Sequence, residues 1–353
     1  MIVKNEAHIL RRCLESILPL VDYILIVDTG STDGTQTIAR EFLHEKQIAG
    51  EVVEMPWQNF AHNRSRAMEK LRERSEIDYG IWLDADEVAS FAPGFDAKSF
   101  KENLRWDLYD VNTHMSDRAY VLPRLTSNRL NFIYKAVLHE YLESPSGCTR
   151  GTAQGLHVRG IQDSARNKNP RKYQDDALVL ERALSTETDP FLIARYTFYL
   201  AQSYQNAGDP GRALTRYLER AALGYWEEEV FLSYYYGAQL KEQLDHPDTD
   251  IIGTYLKAFE TCARRVESLY GAIKYCRVHG KNQQGYLLGK PAIAIPCPES
   301  GLFVQKWIYE YGLMDEVSIN AYWCGHYIDS LELCLRILRE GRIPQDQREK
   351  IKK

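Results

Sequence analysis

Asp84 and Asp86 stand two residues apart in Ile81-Trp82-Leu83-Asp84-Ala85-Asp86-Glu87, directly behind an apolar run. In extended backbone, residues i and i+2 leave the same face of a strand. At the carboxyl end of a buried strand the pair would clamp one cation, and hard carboxylate oxygens suit magnesium or manganese, with water and phosphate oxygens completing the shell. A solvated acidic turn is the plain alternative. The second chemical signal is Val27-Asp28-Thr29-Gly30-Ser31-Thr32-Asp33-Gly34-Thr35. Asp28 ends an apolar run, where its carboxylate can accept hydrogen bonds from a base or ribose, and the glycines permit a tight turn into a helix. Ser31, Thr32 or Asp33 could equally cap that helix with no ligand present; Asp33 is read mainly as a cap.

These residues need elements to hold them. Met1 to Lys4 reads as the tail of a strand, so that either the start of the strand lies upstream or the sheet edge is short. Ile9, Leu10, Cys13, Leu14, Ile17 and Leu18 then recur at helical spacing. A strand follows at Tyr23–Thr29, a polar turn at Gly30–Gly34, and a helix from Thr35 to about Lys46; Val52–Met55 and Tyr79–Leu83 predict further strands around a helix near Ala61–Arg72. The alternation predicts an α/β domain with a largely parallel sheet, whose ligands gather at the carboxyl ends of the strands. Short strands are expected at Asp110–His114, Tyr120–Pro123 and Leu130–Tyr134. Arg159–Lys172, basic and broken by Gly160 and Pro170, reads as a linker, either a solvated connector or a mobile lid.

Beyond the linker the chain is nearly all helix. Leu200, Ala201, Tyr204, Gly208, Ala213, Tyr217 and Ala221 follow the spacing of a tetratricopeptide hairpin, with a weaker echo at Leu269, Ala272, Tyr275, Gly280 and Tyr286. Three imperfect repeats are near the minimum for a stacked solenoid. The expected organisation is therefore a catalytic domain over residues 1–158, a basic linker and connecting helix over 159–190, and a helical repeat domain over 191–353.

Composition narrows the function. A length of 353 residues argues for two domains. No apolar run approaches a bilayer span, so no transmembrane segment is expected. No basic segment followed by an apolar run opens the chain, which gives a cytoplasmic expectation. Seven cysteines without a CxxC pair suit free thiols. Up to Val158 there are 18 Lys and Arg against 23 Asp and Glu, and 26 against 26 thereafter. That acidic half lacks the basic face of a nucleic-acid module, and a polyanionic ligand there would need a screening cation. No glycine-rich phosphate loop with a lysine is present, which argues against a nucleotidyltransferase.

Met1-Ile2-Val3-Lys4-Asn5-Glu6, the Asp28–Thr35 segment, Phe60-Ala61-His62-Asn63-Arg64 and Trp82-Leu83-Asp84-Ala85-Asp86-Glu87, in that order, resemble glycosyltransferase family 2 with the GT-A fold. His139-Glu140-Tyr141-Leu142 and Phe198-Tyr199-Leu200-Ala201-Gln202-Ser203-Tyr204 resemble the subgroup that appends tetratricopeptide repeats. The resemblance implies inverting transfer from a nucleotide sugar, usually a UDP-sugar, with a divalent cation. Asn5, Glu6 and Asp28 would surround the nucleoside, Arg64 would approach the base or diphosphate, and Asp84 and Asp86 would hold ribose and metal. Inversion needs a group that takes the acceptor proton, and Glu140 is the candidate; its alternative is an ion pair with Arg124 or Arg129. Asp117 is the reserve. His139 would shape the acceptor site, and His157 would complete the metal shell from a later strand. The acceptor would be a peptide, protein or glycan, recognised by repeats that could also support a homo-oligomer. The rival reading is a repeat-based binding protein whose nucleotide-sugar domain has lost catalysis.

Overall fold

The computed structural model describes residues 1–115, 118–340 and 343–351, so that Asp117 lies outside the described residues. The chain forms two compact units, Met1–Asp175 and Asp176–Lys353.

The first unit opens with β1 (Ile2–Val3), α1 (Leu10–Ile17), β2 (Tyr23–Asp28), α2 (Thr35–Lys46), β3 (Ala49–Glu54) and α3 (Phe60–Arg72). The helical spacing of the sequence is realised in α1, which buries Leu10, Cys13, Leu14 and Ile17. Strands β1, β2 and β3 pair in parallel in that order. Asn59 caps α3 by accepting the N–H of His62 at 2.8 Å.

After α3 the topology changes. The elements are β4 (Tyr79–Ile81), β5 (Glu87–Phe91), α4 (Ala97–Glu102), β6 (Leu108–Met115), β7 (Arg118–Ser127), β8 (Ile133–Lys135), β9 (Tyr141–Glu143) and β10 (Arg150–Gly160). Five of these strands form a second sheet in the order β4-β7-β6-β10-β5, and β8 pairs with β9. Only β6 and β10 run parallel there; the other three contacts are antiparallel. The expectation of a largely parallel sheet is thus corrected. Parallel neighbours need a crossover of a dozen or more residues, and two residues separate β6 from β7. The expected strand at Leu130–Tyr134 begins only at Ile133, and Arg159 and Gly160, expected in a linker, finish β10. Cys13, Ile17, Leu83, Val111, Leu125, Leu156 and Val158 pack into one core beneath α1.

The second unit is helical: α5 (Lys172–Leu184) crosses the boundary, then α6 (Pro190–Asn206), α7 (Pro210–Leu223), α8 (Glu227–Gln243), α9 (Asp248–Thr261), α10 (Glu267–Val278), α11 (Asn282–Ala292), α12 (Leu313–Trp323), α13 (Tyr327–Glu340) and α14 (Gln345–Ile351). Leu200, Ala201, Tyr204, Ala213, Tyr217 and Ala221 are all buried between α6 and α7, and Gly208 makes their turn at φ +81°. Helices α9 and α10 touch so closely that a Cβ on Gly271 would lie 2.4 Å from the Tyr255 ring. Between α9 and α10, fully buried Arg265 pairs with Glu228 at 2.5 Å and with Glu267 at 2.8 Å. Among the described residues no helix is long and apolar enough to cross a membrane.

Candidate donor and cation site

The carboxyl ends of β1 and β2 build one wall. Asn5 takes a left-handed φ of +58°, a conformation open to Asn because its short amide bonds locally. Its Oδ1 accepts the Thr32 N–H at 2.8 Å, and its own N–H donates to Ser31 Oγ at 2.8 Å. The turn after β2 is thereby tied to the end of β1. Asp33 serves the start of α2, accepting the Thr35 N–H at 3.0 Å and the Ala7 N–H at 3.0 Å.

Asp28 is 1% exposed. Its Oδ1 accepts from Gly30 N–H (3.0 Å), Ser31 N–H (2.9 Å) and Gln36 Nε2 (3.1 Å), whereas its Oδ2 is buried with no partner. Burial works against the ionised carboxylate, but the bonds from Ser31, Gly30 and Gln36 outweigh it and hold the group below the usual range. Glu6 is also buried, and burial, helped by the nearby Asp86 charge, pushes its carboxyl up to about 7.

Arg64, on α3, organises the other wall. Its guanidinium donates to both Asp84 oxygens at 3.0 and 3.1 Å, sits 2.7 Å from Glu140 as an ion pair, and lies over the rings of Trp82 (4.5 Å) and Tyr134 (5.5 Å). Trp82 Nε1 donates to Asp84 Oδ1 at 3.2 Å. Burial pushes the Asp84 carboxyl up, but Arg64 and Arg124 prevail and hold it below the ordinary range. Glu140 thus has Arg64 for its partner, in place of Arg124 or Arg129. Arg124 instead forks onto buried Glu87 at 2.7 and 2.5 Å, and Arg129 pairs with Asp78. His139 is exposed, with a left-handed φ of +52°.

The two carboxylates of the Asp84-Ala85-Asp86 segment do not sit on extended backbone. The Glu87 N–H donates to Asp84 O at 3.0 Å, closing a turn that separates the surroundings of the two side chains. Asp84 faces Arg64, and the partly exposed Asp86 accepts the amide of Asn167 at 3.1 Å. The geometry also corrects His157. Its position on β10 is opposite Ser90, whereas Gly160 is opposite Glu87. At about 3.3 Å per residue it lies roughly 13 Å along the sheet from Asp86, and its ring packs beside that of His114. Among the described residues, the one set of three His, Cys, Asp or Glu ligand atoms within 4.8 Å of one another is Glu227, Glu228 and Cys262, in the helical unit. Arg264 already holds both of those glutamates at 2.6 and 2.5 Å.

Residues 161–171 return over this site as a strap. Asp163 is forked by Arg12 at 2.7 and 2.8 Å, its carbonyl oxygen meets His8 Nε2 at 3.0 Å, and Lys168 reaches the same nitrogen at 2.6 Å. The Ala165 N–H points at both Glu6 oxygens at 3.3 Å, and the Ile161 N–H donates to Asp86 O at 2.8 Å. Sequence reasoning missed His8, Arg12, Glu87 and Asn167, whose partners are distant in the chain. Trp82 carried a usable signal, since it stands two residues before Asp84.

The sequence profile described as "Glycosyl transferase family 2" matches residues 1–92. That stretch contains Asn5, Glu6, Asp28, Arg64, Asp84 and Asp86. The first unit carries a family 2 glycosyltransferase domain. Over 131 residues the chain is 34% identical to an uncharacterized glycosyltransferase of Rickettsia felis, covering 36% of this chain and 39% of that protein. Over 147 residues it is 29% identical to a TPR repeat-containing protein of Synechococcus elongatus, covering 40% of this chain and 34% of that one. The matches therefore span little more than a third of those relatives. Among solved structures, the chain is similar to MamA (TM-score 0.39, 12% identity, covering 54% of this chain and 99% of MamA). It is also similar to residues 1–349 of S. aureus TarS (TM-score 0.35, 14% identity, covering 76% and 89%). The glycosyltransferase domain is followed by a tetratricopeptide-like helical unit.

Proposed function

We propose that the glycosyltransferase domain binds a UDP-sugar at the ends of β1 and β2 and transfers the sugar with inversion, in a cation-dependent reaction. The observation that carries this reading is the buried, unpartnered Oδ2 of Asp28. A buried polar atom without a partner demands one, and the imide N–H of uracil is a donor of the right kind. Asn5 and Gln36 frame the same turn, and Glu6 closes its far side. Arg64, neutralised by Asp84 and Glu140, presents a planar, aromatic-backed guanidinium beside it.

Asp86 fits a divalent cation better than Asp84 does. Its carboxylate faces a neutral amide, whereas Asp84 already answers Arg64, which assigns Asp84 to the donor side. A cation bound there would screen the charge of the diphosphate. Glu140 is assigned the acceptor proton and the exposed His139 the acceptor's approach; for Glu140 this means leaving Arg64 for the acceptor hydroxyl. The helical unit is assigned acceptor recognition, for a peptide, protein or glycan, or self-assembly.

Titration calorimetry with UDP and manganese tests the reading. Asp28→Asn keeps the shape and removes the ionised acceptor, so affinity should fall about ten- to a hundredfold, the worth of one charge-assisted hydrogen bond. Equal affinity in the variant would remove Asp28 from the donor site. The rival reading, a binding protein without catalysis, predicts UDP binding with no manganese-dependent hydrolysis of any UDP-sugar.

A further inference from the structure

The strongest feature outside the donor site is a cavity of about 870 Å³ in the first unit, at the opposite ends of the same strands. It lies in line with β1. Ile2 pairs with Val27 and Val3 with Asp28, so β1 fills its lane only beside the second half of β2. Upstream of Met1 the lane is bordered by Tyr23, Ile24 and Leu25 on one side and by Tyr79, Gly80 and Ile81 on the other, all of them lining the cavity. Both borders are open strand edges. Among the described residues β4 pairs only with β7, and Tyr23 and Ile24 pair only with β3. Helix α1 closes one face of the lane with Leu14 and Ile17, and α3 closes the other with Met68 and Leu71.

Unpaired strand edges enclosed by apolar side chains are unstable as they stand, because their N–H and C=O groups are kept from water without partners. The Met1 nitrogen shows what the lane is shaped for. It donates to Leu25 O at 3.0 Å, and Met1 O accepts the Val27 N–H at 3.0 Å, the pattern of a parallel ladder. A peptide N–H would make the first bond without a charge. The ammonium makes it at the cost of burial, which lowers its pKa to about 6.

We propose that this cavity is a strand-receiving slot, filled by an extended apolar segment of about three residues joined to Met1 and running parallel to β2. Three residues reach from Met1 to the position opposite Tyr23 in the β1 register. Both faces of the lane are covered, so the segment carries a continuous apolar run rather than an alternating one. The slot is independent of the donor reading, since it lies at the other ends of the strands.

The test compares the chain beginning at Met1 with the same chain carrying a Leu-Val-Leu or a Gly-Ser-Gly extension ahead of Met1. The apolar extension should raise Tm by about 5–10 °C over the Gly-Ser-Gly one. It should also slow amide hydrogen exchange at Tyr23–Leu25 and Tyr79–Ile81 at least about tenfold. Equal stabilisation by both extensions would mean that removing the buried charge is the whole effect, and would overturn the proposal. So would no stabilisation by either, or protection by a free Leu-Val-Leu peptide that the fused segment fails to give.

Discussion

Arg64 answers two carboxylates, Asp84 and Glu140, from a side chain only 9% exposed. Replacing it by Met removes the cation and leaves both acids facing each other beside Trp82. Breaking a buried pair from one side typically costs about 3–5 kcal/mol, and chemical denaturation at neutral pH should show a loss of that order. Arg64→Lys should recover only part of it, because an ammonium cannot fork onto Asp84 while reaching Glu140. Glu6 makes a prediction in pH. Burial raises its folded-state pKa from 4.5 to about 7, so the folded protein binds the extra proton between those values. Its contribution to stability is therefore complete below about pH 4.5 and is lost as pH rises through about 7. Glu6→Gln should flatten that limb of the stability profile; an unchanged slope between pH 4.5 and 7 would place Glu6 in water.

At the scale of elements, the strap over residues 161–171 is held by ion pairs that water reaches. Arg12 and Asp163 are 40% and 32% exposed, and such pairs contribute at most about 1 kcal/mol. Asp163→Ala should leave the melting temperature within a degree or two while amide exchange at Ile161 and Ala165 accelerates about fivefold. Unchanged exchange would mean that the contacts to Glu6 and Asp86 suffice without the clamp. The strap also shows where sequence reading stops. Its basic residues predicted a connector or lid, yet its anchors are Asp163 and Asn167, polar residues whose partners lie more than eighty positions away or nearly so. Periodicity exposed α1, β2 and the α6–α7 hairpin because their apolar spacing is local. It could not expose β5 or β10, nor the turn that splits Asp84 from Asp86, because those depend on which strand edge each segment meets. Asp28 was legible as a strand-end acid, whereas Glu140's true partner Arg64 was not, since nothing local links α3 to the loop before β9.

For the whole molecule, two compact units imply that damage to one need not reach the other. Gly271→Ala forces a methyl against the Tyr255 ring, 2.4 Å from an ideal Cβ, and overpacking of this kind costs about 1–3 kcal/mol. The helical unit should melt earlier while UDP affinity, measured below that transition, stays the same; a parallel loss of affinity would show that the units fold as one. Arg265 has a different consequence. Its buried charge is shared by Glu228 of α8 and Glu267 of α10, it donates to the Leu302 carbonyl at 2.7 Å, and Tyr309 donates to Glu267 at 2.7 Å. Arrays of interchangeable repeats can be lengthened by inserting another copy, since each module meets only its neighbours. Here one cation is wired to segments spanning Glu228 to Tyr309, so a hairpin inserted or deleted within that stretch would strand a buried charge. Recombination that preserves folding is confined to junctions outside it, and this stretch is inherited whole.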